Sequence, residues 1–245
     1  MKTLLFFLCC SILLISSCTR DTELEPVPPT AYLMVYNGAP DFHGINAMAF
    51  VNNKYYGDRT YNANGRGLIG AYNFSDYNRV DTGKLRITYT DSATDRDKAT
   101  KVLESVLDFD QEKHYTVYLL DSIGFYSILY TQDDVERSPT HAMLRLVHLS
   151  PDAGPVHLRI DTEAVPGIAG VNFKGTTGYV PVLPDIKPGI RIMYYDQATG
   201  EEKTLTRKSF PLEAGKCYTM VLRGYRISRD DNPNKTINLS TITNF

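Results

Sequence analysis

The sequence predicts an all-β protein of two tandem β-sandwiches, and three observations carry that prediction. The strand-and-turn pattern of residues 30–41, ending in Pro40-Asp41, returns 111 residues later in residues 141–152, ending in Pro151-Asp152. Both copies read as an apolar strand running into a turn, so one module is used twice. Short runs rich in Tyr, Val, Ile and Thr alternate with clusters of Gly, Asn, Asp and Pro, the pattern of strands and tight connections. No segment of comparable length carries a 3.6-residue apolar period with caps at its ends. Seven or so short strands in about 100 residues suit an immunoglobulin-like sandwich, in which each sheet buries one face against the other.

Length and composition agree. The 245 residues suffice for two domains, each of about 100 residues and each with its own core. With 42% apolar and 22% charged residues the chain is not of the disordered class. Lys+Arg (26) nearly balances Asp+Glu (28), so there is no basic excess of the kind a nucleic-acid binder needs.

Residues 1–17 place Lys2 before an apolar run from Leu4 to Ile15 and then Ser16 and Ser17. The run is too short to span a bilayer and has the flanks of a secretory signal peptide. Leu14-Ile15-Ser16-Ser17-Cys18 resembles the bacterial lipobox. That resemblance implies cleavage before Cys18, acylation of its sulfur, and two or three acyl chains holding the mature protein on a membrane. Residues 18–30 are then the lipidated cysteine and an acidic, proline-rich spacer. They resemble the stretch that directs some Bacteroidetes lipoproteins to the outer face of the outer membrane. Cys9 and Cys10 leave with the signal, and Cys217, in an alternating strand, reads as a small core residue.

The first module spans residues 31–137, with strands expected at 32–37, 45–51, 68–74, 84–90, 100–109, 114–120 and 125–131. In the second, residues 138–245, the order repeats. Residues 84–91 return as 189–196, and 114–119 return as 217–222. Past the first turn, Ile45, Ala47 and Ala49 are expected to align with Val156, Leu158 and Ile160. Between the modules lies the charged stretch 133–139, ending at Pro139. The run 142–153 with Val156-His157-Leu158-Arg159-Ile160-Asp161 resembles the opening of the bacterial domain of unknown function numbered 4397. In the first module the pattern is degraded, because Asn37-Gly38-Ala39 stands where His148-Leu149-Ser150 would be. The resemblance implies a β-sandwich in an envelope setting and brings no catalytic residues.

Several constellations invite chemistry. His148, Ser150, Asp152 and His157 crowd the start of the second module, but the repeat retains only the Pro-Asp turn, so Asp152 reads as a cap for backbone N–H groups. His43, His114 and His141 have no ligand spacing beside them, and no metal site is assigned. Gly65-Arg66-Gly67-Leu68-Ile69-Gly70 has the letters of a dinucleotide fingerprint, yet polar residues precede it and a strand-like run follows, so the 64–70 loop reads as a hairpin connection. The loop 230–234 offers calcium-type oxygens without the glycine and distal glutamate of an EF-hand. Tyr55, Tyr56, Tyr61, Tyr72 and Tyr77 cluster around the Gly-rich loop and form a possible ligand surface for stacking on carbohydrate.

The sequence therefore points to a lipid-anchored cell-envelope protein of the outer membrane, surface-exposed rather than on the periplasmic face. It is expected to be non-enzymatic, without cofactor, and to bind a protein or glycan ligand as a structural or adhesion-type module. The alternative is a glycan-binding or glycan-processing accessory lipoprotein, for which a pair of carboxylates in a cleft would be the mark of hydrolysis.

Overall fold

The computed structural model of the chain describes residues 28–42, 47–56, 68–69, 72–91, 98–227, 232 and 235–245. The signal peptide, Cys18, the spacer up to residue 27, Tyr61 and most of the loops 64–70 and 230–234 lie outside the described residues.

In the first half, β1 (Thr30–Asn37) passes through a 3-10 turn (Pro40–Phe42) to β2 (Ala47–Val51), β3 (Lys54–Tyr55), β4 (Leu68–Ile69), β5 (Asn78–Asp81), β6 (Gly83–Thr90), β7 (Lys101–Phe109), β8 (His114–Ser122) and β9 (Phe125–Gln132). The second half carries β10 (Ala142–His148), β11 (Val156–Ile160), β12 (Glu163–Ala164), β13 (Val180–Val182), β14 (Gly189–Asp196), β15 (Glu201–Ser209), β16 (Cys217–Arg223) and β17 (Asn238–Thr243). The first half forms sheets β5-β1-β8-β9 and β3-β2-β6-β7, with β4 also on β2; the second forms β13-β10-β16-β17 and β12-β11-β14-β15.

The duplication is visible in the register. β1 runs parallel to β8 with Tyr32 opposite His114, and β10 runs parallel to β16 with Met143 opposite Cys217. These are the pairs that the sequence repeat matches. A second shared device closes each sandwich. The Asp110 N–H donates to the Tyr115 hydroxyl at 3.1 Å, and the Glu213 N–H donates to the Tyr218 hydroxyl at 3.2 Å. Phe109 and Phe210 meet those same rings edge-on, at 5.0 and 5.4 Å between centroids. Each pair is a tyrosine corner, the tie between strand and preceding loop found in immunoglobulin-like sandwiches.

Each module buries its own core. Leu33, Val35, Ala49, Leu85, Ile87, Val117 and Leu119 fill the first; Leu144, Leu146, Val156, Leu158, Ile190, Ile192 and Met220 fill the second. A third core joins them, because Met34, Tyr36, Tyr118 and Leu120 pack with Val147, Leu149, Val221 and Ile242. The sheets containing β1 and β10 therefore meet back to back, and the molecule is four sheets deep. That arrangement explains why β1, β8, β10 and β16 are apolar on both faces while β7 and β15 are not.

Three expectations are corrected. β2 pairs with β6 so that Ala49 faces Tyr89, and β11 pairs with β14 so that Val156 faces Tyr194. Because Tyr89 and Tyr194 occupy equivalent places, Ala49 rather than Ile45 matches Val156; the first module's turn is four residues longer, where insertion costs least. The expected strand at 68–74 is a two-residue strand plus a single bridge from Phe74 to Tyr36. The polar strand β5 went unrecognised because only Val80 is buried in it.

The stretch after β9 is not a loose linker. Asp133 is fully buried and Arg145 nearly so, and the two form an ion pair. Arg145 also donates from Nε to Thr219 Oγ1 at 2.8 Å and from a terminal nitrogen to the Gln132 carbonyl at 3.1 Å. Its guanidinium lies 4.7 Å from the centre of the Tyr179 ring. Asp134 accepts from the His114 backbone N–H at 2.9 Å, and its other oxygen lies 3.0 Å from His114 Nδ1. The connection is thus bonded to the seam between the sandwiches.

Candidate functional site

The residues that the sequence offers for chemistry are mostly occupied by architecture. His148 is buried at the end of β10, with Nε2 2.9 Å from the Gly154 carbonyl and Nδ1 accepting from the Ser150 N–H at 3.2 Å. Burial lowers its pKa, so the neutral imidazole serves as a turn-forming side chain. Asn37 does the same in the first module, its Oδ1 accepting from the Ala39 N–H at 3.2 Å. Asp152 accepts from the backbone N–H groups of Arg226 and Ile227 at 2.7 and 2.9 Å. The capping role holds, although the capped turn lies some 75 residues away rather than beside it. Cys217 is buried and desolvation raises its pKa, the state of an inert thiol.

Among the described residues, Tyr55, Tyr56, Tyr72 and Tyr77 do not gather into one platform. Tyr56 is fully buried and bonds its hydroxyl to the Leu33 carbonyl. Tyr77 donates to Asp133 at 2.7 Å, accepts from Asn244 at 2.8 Å and stacks on Phe245, which places it in the seam. Tyr72 lies under the Arg223 guanidinium, 3.6 Å from its ring centre, and Tyr55 packs against Phe50. In the Gly-rich loop, Leu68 and Ile69 pair antiparallel with Met48 and Ala47. A strand therefore stands where a dinucleotide site requires a helix.

A carboxylate pair does exist, but it lies in the seam and not in a cleft. The Asp41 N–H donates to Asp121 Oδ2 at 3.3 Å, the Tyr225 hydroxyl donates to Asp41 at 3.0 Å, and Lys235 Nζ lies 3.3 Å from Asp41. Asp121 is fully buried; burial first, then the charge of Asp41, push its pKa up to about 7.

On one side of the second module, apolar and charged groups lie open to solvent together. Between edge strands β12 and β13 runs a groove of about 520 Å³, walled by Ile160, Val165, Pro166, Val182, Leu183 and Pro184. Leu183 is 75% exposed and neighbouring Ile186 is 90% exposed. Asp161 stands at the border with a second hollow of about 410 Å³, lined by Lys187, Arg191 and Arg207. Arg191 and Arg207 are direct cross-strand partners on β14 and β15. Further along the same outer sheet face Tyr195 is 66% exposed and stacks on His157, with ring centroids 5.5 Å apart. Glu202 holds both His157 and Arg159, the latter at 2.9 Å; those contacts, the His157 bond foremost, lower its pKa. Arg191 and Tyr195 escaped the sequence reading, though the alternation Ile190-Arg191-Ile192 already turns Arg191 outward. Its pairing with Arg207 needs the strand register, which is not in the sequence.

Fold and surface together define a four-layer, tandem β-sandwich protein. The profile of the domain of unknown function DUF4397 matches residues 31–159 and again 142–239, and the chain belongs to that family. No curated protein matches the sequence. Among solved structures, CBMbc (family CBM26) from Eubacterium rectale Amy13K, in complex with maltoheptaose, aligns with 86% of this chain and 96% of its own at 8% identity, with a TM-score of 0.26. A likeness so slight carries no argument about what this chain binds.

Proposed function

We propose that the protein is a non-enzymatic binding module of the cell envelope, tethered through acylated Cys18 to the outer membrane and displayed at the cell surface. Residues 19–30 hold the sandwiches off the bilayer, and the seam makes the pair one rigid support. The observation that carries the reading is the contrast between the two kinds of polar and apolar group. His148, Ser150 and Asp152 are spent on turns, whereas Leu183 and Ile186 stand exposed beside a groove. Exposed apolar side chains clustered at a groove mark surfaces that a partner covers.

Two measurements test the reading. Mass spectrometry of the membrane-extracted protein is expected to find diacylated or triacylated Cys18 at the N-terminus, with Cys18→Ala moving the protein to the soluble fraction; an unmodified thiol there ends the anchoring. A photo-crosslinking residue at Ile186 is expected to give a discrete adduct in intact cells that the same residue at Lys113 does not. Equal labelling from both positions removes the groove from the binding surface.

A further inference from the structure

We propose that the outer face of the β12-β11-β14-β15 sheet binds an anionic polysaccharide, with Arg191 and Arg207 receiving its carboxylate or sulfate groups and Tyr195 stacking on a sugar ring. The inference rests on the binding reading above and names the ligand class.

Arg191 and Arg207 face each other across two antiparallel strands. Like charges in that position repel and cost stability, and neither guanidinium has an acidic partner within ion-pair distance among the described residues. Lys187 and Lys208 add two further cations to the lining of the same hollow. The one carboxylate in its lining, Asp161, already accepts the Gly189 N–H at 2.9 Å. Elsewhere on the sheet the protein balances its charges: Arg159 is paired with Glu202, and Lys203 with Asp196 at 2.5 Å. The hollow is the place where cations converge unbalanced. Paired guanidinium groups bind planar or tetrahedral oxyanions through parallel N–H donors.

The second part of the site supplies the ligand's shape. Tyr195 stands on the same strand face as Arg191, four residues on, or roughly 13 Å along the sheet. His157 supports the Tyr195 ring, and the ring is 66% exposed. An exposed, supported aromatic ring offers an apolar plate with a polar tip, suited to the C–H face of a sugar. A lone inorganic ion cannot reach both features; a chain of several rings can.

Single-stranded nucleic acid also combines stacking with anions, but it carries a phosphate at every nucleotide and needs a continuous basic track. Here the basic track stops at the hollow, because toward Tyr195 the cations Arg159 and Lys203 are already paired with Glu202 and Asp196. A polymer with an anionic group on some rings and not others matches that distribution.

The test is affinity electrophoresis and titration calorimetry of the full chain against chondroitin sulfate, with neutral dextran and oligo-dT as comparisons. Chondroitin sulfate is expected to bind and to weaken steeply with salt, while dextran and oligo-dT do not bind. Arg191→Gln with Arg207→Gln is expected to lower affinity by tenfold or more, and Tyr195→Ala by about tenfold. Lys113→Gln, an exposed cation of the first module, is expected to leave it unchanged, and the double arginine variant is expected to melt at or above the parent temperature. Failure to bind chondroitin sulfate, undiminished binding by the double arginine variant, or preference for oligo-dT each overturns the inference. Such a failure with Cys18 acylated and the Ile186 adduct intact leaves the envelope-binding reading standing; loss of those two while chondroitin sulfate binding persists does the reverse.

Discussion

At the scale of single residues the seam depends on charge placed where water is excluded. Arg145 keeps 2% of its surface exposed and Asp133 none. Besides Arg145, Asp133 accepts from the hydroxyls of Thr131 at 2.8 Å and Tyr77 at 2.7 Å. Removing one partner of a buried, hydrogen-bonded pair leaves the other uncompensated. Asp133→Ala and Arg145→Met are each expected to lower stability by about 3–5 kcal/mol, read as a fall in the urea midpoint. The pair was half legible in the sequence. Arg145 sits in the middle of an otherwise apolar strand, where a charge needs a partner, yet Asp133 looked like one more solvated residue in a charged connection. Nothing local distinguishes a buried aspartate from an exposed one, because its burial is imposed by the second module folding back on it.

At the scale of elements, the central strands and the tyrosine corners repeat faithfully while the edges do not. The parallel β1–β8 and β10–β16 pairs keep one register because each strand is buried on both faces, and a slip of one residue would disturb two cores at once. Tyr115→Phe and Tyr218→Phe each remove the acceptor of one backbone N–H. Each is expected to cost about 1 kcal/mol, with the effects adding in the double variant because the corners lie in separate modules; equilibrium unfolding of the three variants measures it. Gly224 marks the edge of tolerance. Its φ is +83°, and an added Cβ would lie 2.3 Å from the Thr236 carbonyl oxygen. The strongly patterned strands were legible in the sequence, whereas β3, β4, β5 and β12 were missed or mislaid. Two- to four-residue strands at a sheet edge carry too few alternations to stand out from a loop.

For the whole molecule, the back-to-back sheets couple the modules, and the coupling is sensitive to pH. Burial first, and then the Asp41 carboxylate, hold Asp121 protonated up to about pH 7, whereas an unfolded aspartate loses its proton near 3.9. Around the site stand Lys235, Tyr225 and Tyr126, with Lys235 and Tyr225 bonded to Asp41. Between those two values the folded chain binds the extra proton, so this group's contribution is full below about pH 4 and is lost as pH rises to about 7. Asp121→Asn keeps the shape and removes the titration. Its urea midpoint is expected to gain on the parent's between pH 5 and pH 8. A constant difference across that range would place Asp121 in an ordinary, solvated state. His148 acts in the opposite sense, since its lowered pKa gives stability that is present above about pH 6.5 and lost below it; it is common to both proteins and drops out of the comparison.

By itself the sequence determined the strand-rich class, the duplication and the architectural part of the Pro-Asp turn, because alternation, repeat spacing and turn chemistry are local properties of the chain. Only the tertiary structure decided that the two sandwiches share a third core, that Asp133 and Asp121 are buried, and that Arg191 meets Arg207. Those facts depend on which strands become neighbours and in what register, and that is settled by pairing and packing between segments that local patterning does not relate, such as Asp41 and Asp121, 80 residues apart.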